Sequence, residues 1–367
     1  MSFRVKTLLC AVMTAGLAAG FFHHVRPSMG ADFGRLHIFL FNLVAGGSSL
    51  LYFARGKKSP GPTVAAYFLV ALAFSFFAFK GWHDLSVIAC LGLFALVESV
   101  RIRRFTFFPF EFFRPEGDTA LKFLHAALLC LSIGLLLCSL AILDHSRLHL
   151  FNSPKFGLET FFLGFSFPVS LVSFYAIFRL VPKASGRSDT IAHNAAFWLL
   201  NLGVIIFFLF ILAGSVWGQA FASFTLYFAV LLVFKILWQR GEKGQPRIIL
   251  LSGLCFLLGA ALTGIAYIII EMAIGTGLSD RFLMRFHAFL ALYGWNLSGI
   301  IALARKDDFP INIRSPRIVA HHWLVVAVLA PLGYGNSLAA MLAVAFFALF
   351  LGIVLFAANS GDQRSLK

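Results

Sequence analysis

Twelve runs of apolar residues, each long enough to cross a bilayer as a helix, decide which solvent this chain can fold in. They fall at roughly 7–22, 34–54, 62–79, 82–100, 119–143, 158–181, 192–216, 219–238, 248–274, 282–304, 318–334 and 337–358. Sixty per cent of the 367 residues are hydrophobic, only 12% are charged, and the mean hydropathy is +0.89. A soluble domain of this length cannot bury so much apolar surface, so lipid must solvate most of it. The expected fold is an all-α, polytopic transmembrane bundle of about twelve helices. It is read as a single transmembrane domain over 1–367, with no soluble domain, no linker and no repeat period. The turn at Lys80, Trp82, His83 and Asp84 is very short, so the boundary between the third and fourth runs is the one most able to slip. Arg4 and Lys6 ahead of the first run give it the look of a signal peptide. No small-x-small cleavage site precedes His23 and His24, which favours a retained helix.

The formal net charge of +15 suggests nucleic acid until the basic residues are placed. Counting spans from an inner N-terminus, all of the 30 lysines and arginines fall on the inner side except Arg26, Arg35, Lys80, Arg147, Lys155, Arg281 and Arg285. This is the positive-inside asymmetry of a membrane protein, with both termini inside. Basic residues at helix ends on one side form no stripe, so no nucleic-acid partner is expected; the partner is the lipid bilayer. The longest loop, Arg101 to Asp118, alternates basic and aromatic residues and reads as an interfacial segment on the inner leaflet, a ligand-binding loop being the alternative. Cys10, Cys90, Cys130, Cys138 and Cys255 all lie in apolar runs without CxxC or Cys/His spacing and read as small core residues. The absence of CxxCH rules out covalent c-type haem in this chain.

Ionisable side chains inside spans mark function by default, because lipid gives them no partner. His37 and His287 stand out: each closely follows an outer-side arginine and begins an inward-running helix about one turn below the surface. Two neutral imidazoles at matched depth suit haem iron, and the competing reading is hydrogen bonding to a neighbouring helix. The Gly46-Gly47-Ser48-Ser49 run either admits another helix closely or leaves room beside a large ring. Glu271, near the outer end of the ninth run, is a candidate haem-propionate neighbour or proton carrier, or else a snorkelling end residue. Asn194 and Asn201, seven apart, share a helix face and suit a hydrogen-bonded seam or a polar path. His321 and His322 are adjacent, so they point about 100° apart and make a poor chelating pair. His23, His24, His83, His145 and His149 read as solvated loop or helix-end residues.

The phrases FGRLH, ending in His37, and RFHAFLALYGWN, holding His287 and Gly294-Trp295-Asn296, resemble the second and tenth helices of haem-copper oxidase subunit I. The likeness is strongest to the branch of cbb-type cytochrome c oxidases and bacterial nitric oxide reductases. That resemblance implies a twelve-helix fold with both termini inside, a bacterial inner membrane, one or two b-type haems held by His37 and His287, and a cytochrome or other respiratory subunit as partner. The departures are specific. The family's tenth helix carries HxH, whose second histidine is here Phe289. Counted from LVPK (Leu180 to Lys183) and ILAG (Ile211 to Gly214), the copper ligands fall near Phe162, Val216 and Trp217, none of which can bind copper. The resemblance therefore implies an oxidoreductase-like haem protein for electron transfer or diatomic-gas binding (NO, CO or O2), without copper and without oxygen reduction. The alternative is a haem-free transporter or respiratory-complex assembly factor on the same bundle, with Asn194, Asn201, Glu271 and Asn296 lining a midplane cavity.

Overall fold

The computed structural model describes residues 1–24, 33–56, 59–150, 162–274 and 281–359. Of the basic residues used to sort the sides, Arg26, Lys57, Lys58, Lys155, Arg364 and Lys367 lie outside the described residues. So does the start of the sixth apolar run.

Among the described residues there are eleven helices long and apolar enough to cross a membrane, and a shorter twelfth. In chain order they are α1 Phe3–Gly20, α2 Phe33–Arg55, α3 Gly61–Lys80, α4 His83–Arg104, α5 Thr119–Leu148, α6 Gly164–Leu180 and α7 Arg187–Leu212. The rest are α8 Val216–Arg240, α9 Gln245–Ala273, α10 Phe282–Ala304, α11 Ser315–Gly333 and α12 Ser337–Phe356. Every apolar run has its helix. The short turn between α3 and α4 holds its place because Gly81 adopts a left-handed φ of 70°, which ends α3 at no steric cost. The turn between α7 and α8 uses the same device at Gly214, φ 67°, after which Ser215 caps α8 by accepting from the Gly218 amide at 3.3 Å.

The helices carry their apolar groups outward as well as inward. Along α8, Trp217, Phe221, Phe224 and Phe228 recur at helical spacing on one face and are 78%, 72%, 45% and 63% exposed. Water would not tolerate such a continuous apolar stripe, whereas lipid would. The chain is thus an all-helical, polytopic membrane bundle.

The helices gather into two units. The first holds residues 1–109, 124–172 and 333–356. Its interior is α2, flanked by α1 and α3, and α12 lies along α1. Phe3 and Phe356 meet edge to face with centroids 5.1 Å apart, so the start of the first span and the end of the last lie at one end of this unit. Phe39, Phe74 and Phe165 form an aromatic core, and Gly134 meets Gly164 backbone to backbone. The second unit holds residues 110–123, 173–332 and 357–367. Here α7 packs on α8, α8 on α9, and α9 on both α10 and α11. Its interior is α10.

In the most apolar window of α2 and of α10, 78% of residues are buried, against 50% or less in every other long span. Both helices interrupt their α geometry with a π-helical stretch, Phe39–Gly47 in α2 and Leu290–Asn296 in α10. Similar stretches open the sixth span (Phe162–Ser166), end α5 (Asp144–Leu148) and interrupt α11 (Leu324–Leu329). A π turn displaces the register of a helix by a residue and is frequent at functional sites.

Candidate functional site

The site is built most fully around His287. In α10 the ring of His287 is exposed, and its Nδ1 donates to the Ala260 carbonyl of α9 at 2.7 Å. A carbonyl only accepts, so the proton belongs on Nδ1 and Nε2 keeps its lone pair. This is the arrangement that orients a metal-ligating histidine. Gly264, one turn along α9 from Ala260, makes the room: a Cβ there would lie 3.4 Å from His287 Nδ1. Glu271 continues the same face of α9, two turns beyond Gly264 and about 10 Å along the axis. It lies on the His287 side of α9, and it is half-buried.

Beyond His287 the π stretch is held from three sides. His322 of α11 donates from Nε2 to the Tyr293 carbonyl at 2.7 Å, and the Ser298 hydroxyl donates to the Gly294 carbonyl at 2.8 Å. The Ser173 hydroxyl of α6 lies 3.5 Å from the carbonyls of both Trp295 and Asn296. Ser173 comes this close because residue 299 is glycine; a Cβ there would stand 2.5 Å from the Ser173 Cα. Trp295 is 1% exposed and tilts against Phe174 at 4.8 Å. His322 is therefore a packing residue that satisfies a backbone carbonyl, in keeping with the adjacent spacing of His321 and His322.

His37 occupies the corresponding place in α2. Its ring rests on Gly20 of α1, where a Cβ would be 3.6 Å from His37 Cγ, and Gly16 takes the His37 carbonyl in the same way. The two readings of Gly46-Gly47 resolve to close approach. A Cβ on Gly46 would come within 2.4 Å of Val169, and one on Gly47 within 2.2 Å of the Tyr67 hydroxyl, so side chains already fill that space. Tyr67 donates to the Leu43 carbonyl at 3.3 Å, and Ser49 to the Ala45 carbonyl at 2.8 Å. Asn42, 2% exposed, has its Oδ1 buried with no hydrogen-bond partner among the described residues.

The structure accounts for the other histidines separately. His125 is fully buried, receives a hydrogen bond from Arg101 at Nε2 (3.1 Å) and stacks under Phe105 at 4.4 Å. His83 and His145 come together, ring to ring at 6.0 Å, beside the Arg147–Asp84 ion pair at 2.7 Å. His24 donates from Nε2 to the Gly333 carbonyl at 2.6 Å. The side chain of His23 lies outside the described residues. Phe289 is 8% exposed, and Trp217 stands on the apolar face of α8. The side chain of Phe162 lies outside the described residues. Among the described residues no three His, Cys, Asp or Glu side chains converge as a metal site.

Buried charges are what sequence reasoning missed. Arg101, 2% exposed, chelates Glu98 through two bonds of 2.7 Å and reaches the carbonyls of Thr106 and Phe107. The loop that reads as interfacial is tied into the bundle by its first residue. Lys122, 1% exposed, donates to the Arg114 carbonyl at 2.6 Å and to Asn194 Oδ1 at 2.8 Å. Asn194 in turn donates to the carbonyls of Pro115 and Thr190. Asn201 turns its amide to Phe197 of its own helix and takes no part in that seam. Only Lys122 carried a signal beforehand: it lies inside the apolar run 119–143, where an unpaired charge would be too costly to keep, whereas Arg101 stands at the start of the loop.

Comparison with family models, curated proteins and solved structures returned no match.

Proposed function

We propose that this chain is an integral membrane haem protein in which His287 Nε2 would hold the iron of a b-type haem. The observation that carries the reading is the Nδ1 bond from His287 to the Ala260 carbonyl, which presents Nε2 as a lone pair on an exposed ring. The likeness of RFHAFLALYGWN to the tenth helix of haem-copper oxidase subunit I supports it, and so does the place of Glu271 on the His287 side of α9. On this reading the bundle has the haem-copper-oxidase-like arrangement with both termini inside, and its membrane is a bacterial inner membrane. Haem b supplies a one-electron carrier and, where one axial position stays open, a site for NO, CO or O2.

This chain's own residues define the rest. Ala260 and Gly264 hold and accommodate the imidazole, Phe289 keeps its side of α10 apolar, and Glu271 is placed for a propionate or a proton. His37 is the candidate ligand for a second haem in the first unit. His125 would be a poor partner for it, since its Nε2 already accepts from Arg101. Val216 and Trp217 offer no copper ligand, so the proposed role is electron transfer or gas binding without a binuclear centre. A cytochrome or another respiratory subunit is the fitting redox partner.

The test is a reduced-minus-oxidised visible spectrum of the purified protein from haem-replete cells, with extracted haem counted against protein. A Soret band that shifts on adding carbon monoxide is the expected result. A colourless preparation that takes up no haemin would overturn the proposal and leave a transporter or assembly role for the bundle.

A further inference from the structure

Away from both histidine helices, the second unit contains a half-open cavity of about 890 Å³. Two helices begin at it. Thr119 and Ala120 of the first turn of α5 line one side, and Arg187, Thr190 and His193 of the first two turns of α7 line the other. Each start presents N–H groups that its own turns leave unsatisfied, together with the positive end of a helix dipole.

Three cations add to that field: Arg179, Lys183 and Arg187 all line the cavity and all are exposed. Arg179 and Arg187 have no hydrogen bond or ion pair among the described residues. Lys183 lies 3.9 Å from Asp118, with its side chain 85% exposed. Glu116 and Asp118 also line the cavity, and Asp118 accepts from the Leu121 amide at 3.2 Å. Deeper in, His193 is 4% exposed. Its Nδ1 lies 3.4 Å from the Thr119 hydroxyl, and its Nε2 is buried with no hydrogen-bond partner among the described residues. A buried ring nitrogen left unmatched in the wall of a cationic cavity is a group that a ligand would satisfy.

The surroundings say where such a ligand would come from. Phe110 and Phe113, on the segment leading into α5, are 64% and 71% exposed, and Phe113 packs on Trp198 of α7 at 5.3 Å. Exposed aromatic rings and exposed arginines together are the composition of the headgroup boundary, and this is the end of the helices where basic residues concentrate. We infer that this cavity binds the phosphate of a membrane phospholipid headgroup, between Arg179, Arg187 and the start of α7. Its volume falls within the range of ligand sites. The carboxylates of Glu116 and Asp118 would face an ammonium or hydroxyl carried on the same headgroup.

The test uses the full chain and an Arg179→Gln/Arg187→Gln double variant. Both are exchanged into lipid-free detergent and titrated separately with phosphatidylglycerol, phosphatidylethanolamine, phosphatidylcholine and inorganic phosphate. Bound lipid is counted by native mass spectrometry, and thermal unfolding is followed in parallel. The unliganded variant is expected to unfold like the wild type, because both arginines are exposed and unpaired. Retention of phosphatidylglycerol or phosphatidylethanolamine should fall about tenfold or more in the variant. Lys183→Gln, milder still, should weaken it by a smaller factor. Protection by inorganic phosphate with no lipid retained would support the phosphate site and assign it a soluble occupant, overturning the lipid source. Equal lipid retention by wild type and double variant, with no response to phosphate, would overturn the inference.

Discussion

In α2, Arg35-Leu36-His37 leads into a π-helical stretch at Phe39; in α10, Arg285-Phe286-His287 leads into one at Leu290. Each helix is the buried member of its unit, and each histidine rests on a glycine of the preceding span, Gly20 for His37 and Gly264 for His287. They differ in what holds them. The π stretch of α10 offers carbonyls to His322, Ser298 and Ser173, and Ala260 fixes the His287 ring. The stretch of α2 offers carbonyls to Tyr67 and to its own Ser49, and is packed by Val169 and Tyr67 over Gly46 and Gly47. A ligand held to a metal must be oriented before the metal arrives, since reorganising it costs affinity. On the proposed reading, His287 is the ring already oriented in that sense. The α2 site shares its outline.

The comparison can be broken most decisively by haem content. If the proposed haem is held by His287, His287→Ala is expected to lose it by more than the roughly 10–100-fold that loss of an outer partner costs, whereas His37→Ala should keep it. Haem counted per protein in the two variants checks this, and a reversed order would move the principal site to the first unit.

Packing provides the next contrast. In Gly299→Ala the new Cβ meets Ser173 down to its Cα, 2.5 Å away, so backbone must move. In Gly47→Ala the collision is with the hydroxyl and ring of the fully buried Tyr67, so a side chain rather than backbone must shift. The first should cost about 1–3 kcal/mol and the second less, as overpacked cores do. Thermal unfolding of both in one detergent would show it, and equal losses would mean that α2 is as tightly set as α10.

A contrast of similar size concerns the π carbonyls. His322→Phe leaves the Tyr293 carbonyl without its buried donor and is expected to destabilise by about 1–3 kcal/mol. Tyr67→Phe gives up a longer bond to Leu43 and should cost about 0.5–1 kcal/mol. Denaturant titration of the two variants measures the gap. If Tyr67→Phe were the costlier, the view that α10 is pinned by hydrogen bonds and α2 by packing would fail.

By itself the chain determined its solvent and its spans. A helix buried in lipid must satisfy every backbone group internally, so twelve apolar runs can become little else, and Gly81 and Gly214 mark their turns for a local steric reason. The histidines worth attention were legible too, because an ionisable group at that depth is conspicuous in any apolar run. What surrounds them was decided only by tertiary structure. The carbonyl that fixes His287 lies 27 residues away, and Lys122 and Asn194 are 72 apart. Position alone makes Arg101 a headgroup-facing residue, yet Glu98, Thr106, Phe107 and His125 close around it. A π turn adds a single residue to one helical turn, too small a change to disturb hydropathy, yet it re-aims every side chain beyond it. Hydropathy responds to the solvent a segment meets, whereas a site depends on which distant carbonyl or glycine meets a given ring, and only packing sets that.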